Sequence, residues 1–474
     1  MTLTKTLTKV SQILNGGIQL TDGHQVGIKD QRSLQENIEG LVKLAIFGED
    51  EERAVARWLV RECALAVGIY PASIHNFYHA RGLRKMRDDF TVPALNLRVL
   101  PFHAGRAVFR ICDDLDARAI IFEIARSEIG YTNQAPSEYA SSILGAAIAE
   151  GYQGPIFIQG DHFQIGAKRF QDNPELELET VRNLSEASVQ AGFFNIDIDT
   201  STLVDLSKAT ITEQQEINYR LSAELAAYIR GIEPEGVTVS LGGEIGEVGG
   251  QNSTEPELRA YMEGFETEFA ELIPDKPGLS KISIQTGTSH GGVVLPDGTI
   301  AEASVDFDTL YELSAVAKEY EMGGTVQHGA STLPLEAFSK FAEANALEVH
   351  LATGFMNIAY DRIPIDLRND MYAYLEQAHI DERKPEQTDE QFYYKTRKKA
   401  LGPYKKLLWE IPIENRKEIE AAWEEQFRLL FTNLNIAGTA DEVSRFIQPV
   451  PVHEPISSYA GEALPEKDTS DLAD

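Results

Sequence analysis

From residue 92 onward, short apolar runs alternate with longer stretches whose apolar residues recur at helical spacing. The runs predict strands at 92–99, 119–125, 155–162, 193–199 and 237–241, a sixth opening at Lys281, a seventh closing at His328, and an eighth at 347–352. The stretches between them predict helices at 105–116, 136–151, 176–192, 212–232, 257–273, 306–320 and 334–346. Pro136 suits a helix start and Gly192 a helix stop. Eight strand–helix alternations predict an α/β chain: a parallel (β/α)8 barrel over residues 91–362. Residues 1–90 read as a helical N-terminal extension and 363–450 as a helical C-terminal one, with helices at 369–378, 389–408 and 415–430. Residues 451–474 read as a tail, polar and disordered from Glu466.

Composition narrows the function. An apolar fraction of 43% supplies a sizeable core. A net charge of −31 argues against nucleic acid as a partner, because a phosphate backbone requires a basic footprint. An anionic substrate would need a metal, backbone N–H groups or a few local cations to overcome that field. No stretch is apolar and long enough for a membrane, and the first residues do not read as a signal peptide. Cys63 and Cys112 read as buried free thiols, so the expected location is the cytoplasm.

A barrel of this type carries its chemistry at the C-terminal ends of its strands. His162 follows Asp161 at the third strand end, His290 precedes Gly291 and Gly292 at the sixth, and His328 precedes Gly329 at the seventh. Three imidazoles on one rim suit a divalent metal such as Zn2+ with an open position. Strand alternation would turn Asp161 and His162 to opposite faces, one toward metal and one toward a reacting group. Gly291, Gly329 and Ser331 could offer N–H and hydroxyl groups to a phosphate, or simply make tight turns. His75 and His79 share a helix face without a third ligand and read as surface or packing residues. Lys281 opens its strand, at the end of the barrel opposite to the chemistry.

Val92–Asn96, Gly160–His162, Glu244–Gly250, Thr288–Gly291 and His328–Ser331, in that order, resemble the class II (metal-dependent) fructose-bisphosphate aldolase family over roughly residues 90–360. The resemblance implies the TIM barrel and a lyase of carbohydrate metabolism, in glycolysis or gluconeogenesis. It makes His162, His290 and His328 zinc ligands, with Glu244 near the metal. Asp161 becomes the acid that protonates the aldehyde oxygen, and Asn96 and Asp199 contact substrate. Gly291, Gly329, Ser331 and Thr353 form the phosphate cradle. A monovalent cation and a homo-oligomer, dimer or tetramer, are also implied.

Several positions depart from the family pattern. Gln159 stands where a second histidine is usual, and Ala330 replaces a glycine of the phosphate loop. The usual Lys-x-Asn-x-Asp-Thr reads Glu348-Val349-His350-Leu351-Ala352-Thr353, which puts a new imidazole, His350, among the substrate-binding positions. The glutamate that removes the substrate proton falls at Asn252, leaving Glu247 or Glu255 as the base. The expected reaction is reversible aldol cleavage of a ketose phosphate such as fructose 1,6-bisphosphate. Rival readings are an aldolase for a tagatose bisphosphate or sulfonated ketose, a non-catalytic aldolase-like subunit, and a zinc-water hydrolase.

Overall fold

The computed structural model describes residues 3–21, 25–246, 251–287, 295, 304–461, 466, 469 and 472. Eight parallel strands close on themselves: β1 (Val92–Asn96), β2 (Ile121–Ala125), β3 (Gly154–Gln164), β4 (Asn195–Asp199), β5 (Ser240–Glu244), β6 (Lys281–Ile284), β7 (Thr325–Gln327) and β8 (Glu348–Leu351). The ring shuts where Glu348 registers with Val92 and Leu351 with Leu95. This is the (β/α)8 barrel that the alternation predicts.

Local chemistry sets the connections. Pro101, Pro136 and Pro174 each open a helix, where the missing N–H costs nothing. Gly151 (φ 71°) and Gly192 (φ 100°) close two of them in the left-handed region. Along β4, Ile196 and Ile198 alternate with Asp197 and Asp199; along β6, Ile282 and Ile284 alternate with Lys281 and Ser283. The polar set faces the barrel axis, as the contacts below show.

Four features differ from the sequence expectation. The 334–346 helix is reduced to a 3-10 turn, Leu335–Ala337, and one short helix, Ser339–Glu343. The 389–408 helix is broken at Arg397–Ala400. Strand Ile69–Ala72 was not expected; it pairs in parallel with the first residues of β3, Gly154–Phe157. Asn195 seals that junction, donating to the Ala72 and Ile158 carbonyls at 3.2 and 2.9 Å and accepting from the Ile74 N–H at 2.9 Å. Finally, Glu466 pairs with Arg126 and Arg169 at 3.0 Å each, which ties this tail residue to the end of β2.

Helix Ile413–Asn433 packs on the outer helices Pro101–Leu115 and Thr353–Tyr360. Helix Ile413–Asn433 buries Trp423, whose indole N–H donates to the Phe355 carbonyl at 3.0 Å. Among the described residues no helix is long and apolar enough to cross a membrane.

Candidate metal centre

The centre depends on an irregularity in β3. Gly160 registers with Ile196 but Phe163 with Ile198, so the segment holds one extra residue. His162 absorbs it with φ 40°, in the left-handed region. Alternation is thereby broken, and Asp161 and His162 both reach the same interior space. The expectation that they face opposite ways is corrected by this bulge.

His162 Nε2 lies 2.9 Å from His328 Nδ1 and 3.9 Å from Asp161 Oδ1. These three donors, from β3 and the end of β7, are close enough to share one ion. The far nitrogens are also held. His162 Nδ1 is 3.1 Å from Asp199 and 3.3 Å from Glu244, and His328 Nε2 is 3.0 Å from Ser283 Oγ. Carboxylates on the second nitrogen of an imidazole fix its tautomer and raise its basicity as a ligand. Asp199 is itself fixed by Ser201, at 2.7 Å.

The electrostatics follow from burial and proximity. Burial alone would lower the His162 pKa, but Asp161, Glu244 and Asp199 hold it well above the ordinary histidine value. Burial would raise Asp161, yet His162 and His350 hold it well below the usual carboxylate range. Glu244 is pushed up to about 7 by burial and by Asp199. Neutral imidazoles and a carboxylate are the donor set a divalent metal takes, and the ion would supply the positive charge that a proton supplies on His162 here.

A small cleft opens over this group, lined also by Asn96, Gly329, Ser331, His350 and Thr353. Asn96 donates to Asp161 Oδ2 at 3.2 Å and to Glu128 at 2.8 Å. Ser331 Oγ accepts the Ala352 N–H at 2.8 Å, joining the loop after β7 to the end of β8. Thr353 begins helix Thr353–Tyr360. The model for the family described as fructose-bisphosphate aldolase class-II matches residues 84–406, well over half of the chain.

The chain belongs to the class II fructose-bisphosphate aldolase family. Class II aldolases are metal-dependent lyases, and the donor groups above fit that chemistry. No curated protein sequence matches the chain. Among solved structures it is similar to a putative fructose-1,6-biphosphate aldolase from Coccidioides immitis (18% identity, 76% of this chain and 95% of that one, TM-score 0.42). It is also similar to the YdjI aldolase from Escherichia coli K12 (12% identity, 78% and 99%, TM-score 0.45). A third is a probable tagatose 6 phosphate kinase from Sinorhizobium meliloti (15% identity, 78% and 97%, TM-score 0.49).

Measured against the family's site, the aldolase barrel gathers Asn96, Asp161, His162, Asp199, Glu244, Gly329, Ser331, His328, His350 and Thr353 around one cleft and its floor. His290, Gly291 and Glu247 lie outside the described residues. Glu255 is not brought to the cleft floor; it starts helix Glu255–Leu272, is 55% exposed and pairs with Arg259 at 2.8 Å. Asn252 is exposed and donates to Asp306 at 2.8 Å. His75 is buried and stacks on His79 at 6.3 Å, a packing role.

Sequence reasoning missed the layer beneath the cleft. Glu123, Asp197, Lys281 and Glu348, one from each even-numbered strand, lie buried where such barrels carry branched aliphatic side chains. Lys281 does not stay at the far end of the barrel. Its long stem carries Nζ inward to Gln159 (2.7 Å), Asp197 (2.9 Å) and Glu348 (2.5 Å). Burial disfavours its charge, but Asp197 and Glu348 raise its pKa to about 12. The available signal was a charged residue at an inward position of four strands.

Proposed function

We propose that this protein is a zinc-dependent aldolase that reversibly cleaves a ketose phosphate or bisphosphate, such as fructose 1,6-bisphosphate, to dihydroxyacetone phosphate and an aldehyde. The observation that carries the reading is the convergence of Asp161 and His162 from β3 with His328 from the end of β7, at the floor of a cleft edged by Gly329, Ser331 and Thr353. His162 and His328, with His290 as the third imidazole, would hold the ion, and Glu244 stands near it on the far nitrogen of His162. When bound, it supplies Lewis-acid polarisation of the ketose carbonyl.

The chain's own residues do the rest. Asp161, held ionised, takes the proton of the ketose hydroxyl in the cleavage direction and returns it to the aldehyde oxygen in condensation. Asn96 anchors one Asp161 oxygen and faces the substrate. The backbone at Gly291 and Gly329, with Ser331 and Thr353, receives the phosphate, and a monovalent cation would assist there. Asp199 holds His162 from the far nitrogen. The proton at carbon is moved by one of two carboxylates that follow β5 in the chain, Glu247 or Glu255. Glu247 is favoured, because Glu255 is tied to Arg259. A homo-oligomer in the cytoplasm is the expected setting.

A second reading is an aldolase for another phosphorylated or sulfonated ketose. It is favoured by His350, an imidazole on the cleft at a position where the family carries an asparagine.

The test is turnover. Chelation or His290→Ala should abolish cleavage while the barrel stays folded by circular dichroism. Full activity in metal-stripped protein would defeat the proposal. Solvent exchange of the substrate proton should slow in Glu247→Gln and persist in Glu255→Gln.

A further inference from the structure

Three departures from the family pattern, Gln159 on β3 and Glu348 and His350 on β8, meet at one group, the Glu348 carboxylate. Gln159 Nε2 donates to Glu348 Oε1 at 3.0 Å, and the same oxygen is 2.7 Å from His350 Nε2. Lys281 Nζ donates to that oxygen at 2.5 Å, and the Tyr78 hydroxyl donates to Oε2, also at 2.5 Å. With donors on both oxygens and no solvent contact, the Glu348 carboxylate has one orientation. A carboxylate can only accept, so His350 Nε2 carries hydrogen toward it. By the same rule the other ring nitrogen, Nδ1, donates to Asp161 Oδ1 at 3.1 Å, with Glu123 Oε1 3.2 Å away. Asn96 holds the second Asp161 oxygen at 3.2 Å.

The space for this unit is also specific. A Cβ on Gly242 would come within 2.3 Å of Asp197 Oδ1 and 3.0 Å of Lys281 Cε. Any larger residue at that point of β5 would have to displace the aspartate or the lysine.

We infer that Glu348 is a positioning residue for the aldol step: it fixes His350, and His350 fixes the Asp161 carboxylate from inside the barrel. The inference rests on the proposed aldolase reading, in which Asp161 serves the aldehyde oxygen but not the carbon proton. Gln159, Lys281 and Tyr78 belong to the same unit, and a change at Glu348 alone must reach Asp161 through His350.

The experiment compares two reactions of the metal-loaded full-length protein. One is solvent exchange of the dihydroxyacetone phosphate proton, which does not use Asp161. The other is condensation with glyceraldehyde 3-phosphate, which does. In Glu348→Gln, kcat for condensation should fall by roughly 10–100-fold, the range seen when a residue that orients a reacting group is removed. KM and the exchange rate should stay within about twofold, since Glu348 touches neither substrate nor ion. Equal loss in both reactions, or no loss in either, would overturn the inference. If Glu348→Gln fails to fold, Tyr78→Phe, which frees the other oxygen of the same carboxylate, takes its place, with the same selective loss expected and the same results counting against it. A wild-type protein that catalyses neither reaction would instead remove the aldolase reading, and this inference with it.

Discussion

Lys281 and Glu348 meet inside the barrel, Nζ to Oε1 at 2.5 Å, and solvent reaches neither side chain. They come from β6 and β8, so the pair spans the closed ring across β7. Breaking it by removing one partner leaves the other charge buried. Lys281→Met should therefore lower the unfolding free energy by about 3–5 kcal/mol, the usual cost of an uncompensated buried charge. Urea denaturation measures this, and a loss below about 1 kcal/mol would show that the pair is dispensable.

The same pair has a signature in acid. Burial would raise the Glu348 pKa, but Lys281 and His350 hold it at about 2, below its value in an unfolded chain. A depressed folded-state pKa gives stability that is complete above the unfolded value, near 4.3, and lost as the pH falls from there toward 2. Glu348→Gln should flatten that part of the stability profile. An unchanged acid limb in thermal melts between pH 5 and 3 would count against the assignment.

Schiff-base aldolases use a lysine that can lose its proton. Lys281 is raised to about 12 by Asp197 and Glu348 against the effect of burial, and stays charged. Borohydride reduction in the presence of dihydroxyacetone phosphate should therefore leave Lys281 unlabelled by mass spectrometry. A phosphorylated adduct on Lys281 would overturn the metal reading in favour of imine chemistry.

Metal uptake should release protons. His162 is held protonated near neutral pH by Asp161, Glu244 and Asp199, and only the neutral ring can bind a cation. Apparent zinc affinity should rise with pH across the neutral range. Calorimetry in buffers of different ionisation enthalpy should report a positive proton release, which His162→Ala should reduce. Uptake without proton release would contradict the charge assigned to His162.

Gly242→Ala places a methyl group against Asp197 and Lys281. Overpacking of this kind costs about 1–3 kcal/mol. The expected result is a lower melting temperature with Lys281 displaced in a crystal structure of the variant. An unaltered melting temperature would mean that the layer has slack.

The barrel was legible because its outward positions, such as Ile196 with Ile198 and Ile282 with Ile284, keep an apolar period that survives whatever the interior does. Asp161, His162 and His328 were legible because each closes a strand-like run in the sequence, although β3 itself continues to Gln164. The buried layer was not, because a charged side chain in a strand ordinarily signals a solvent face, and four of them converge only once the ring is closed. Lys281 shows the limit most clearly: its Cα lies where the sequence placed it, but the stem carries the charge to another level. The bulge at His162 was equally hidden, since nothing in Gly160-Asp161-His162-Phe163 announces an unpaired residue.

Strand Ile69–Ala72 and Tyr78 precede the region that matches the aldolase family, yet one is woven into the edge of β3 and the other grips Glu348. A polypeptide trimmed to the matched span would keep every residue assigned to chemistry and still expose a raw sheet margin and a loosened carboxylate. Ile69–Ala72 and Tyr78 are thus stitched into the scaffold they precede, and the folded unit reaches further back along the chain than its kinship suggests.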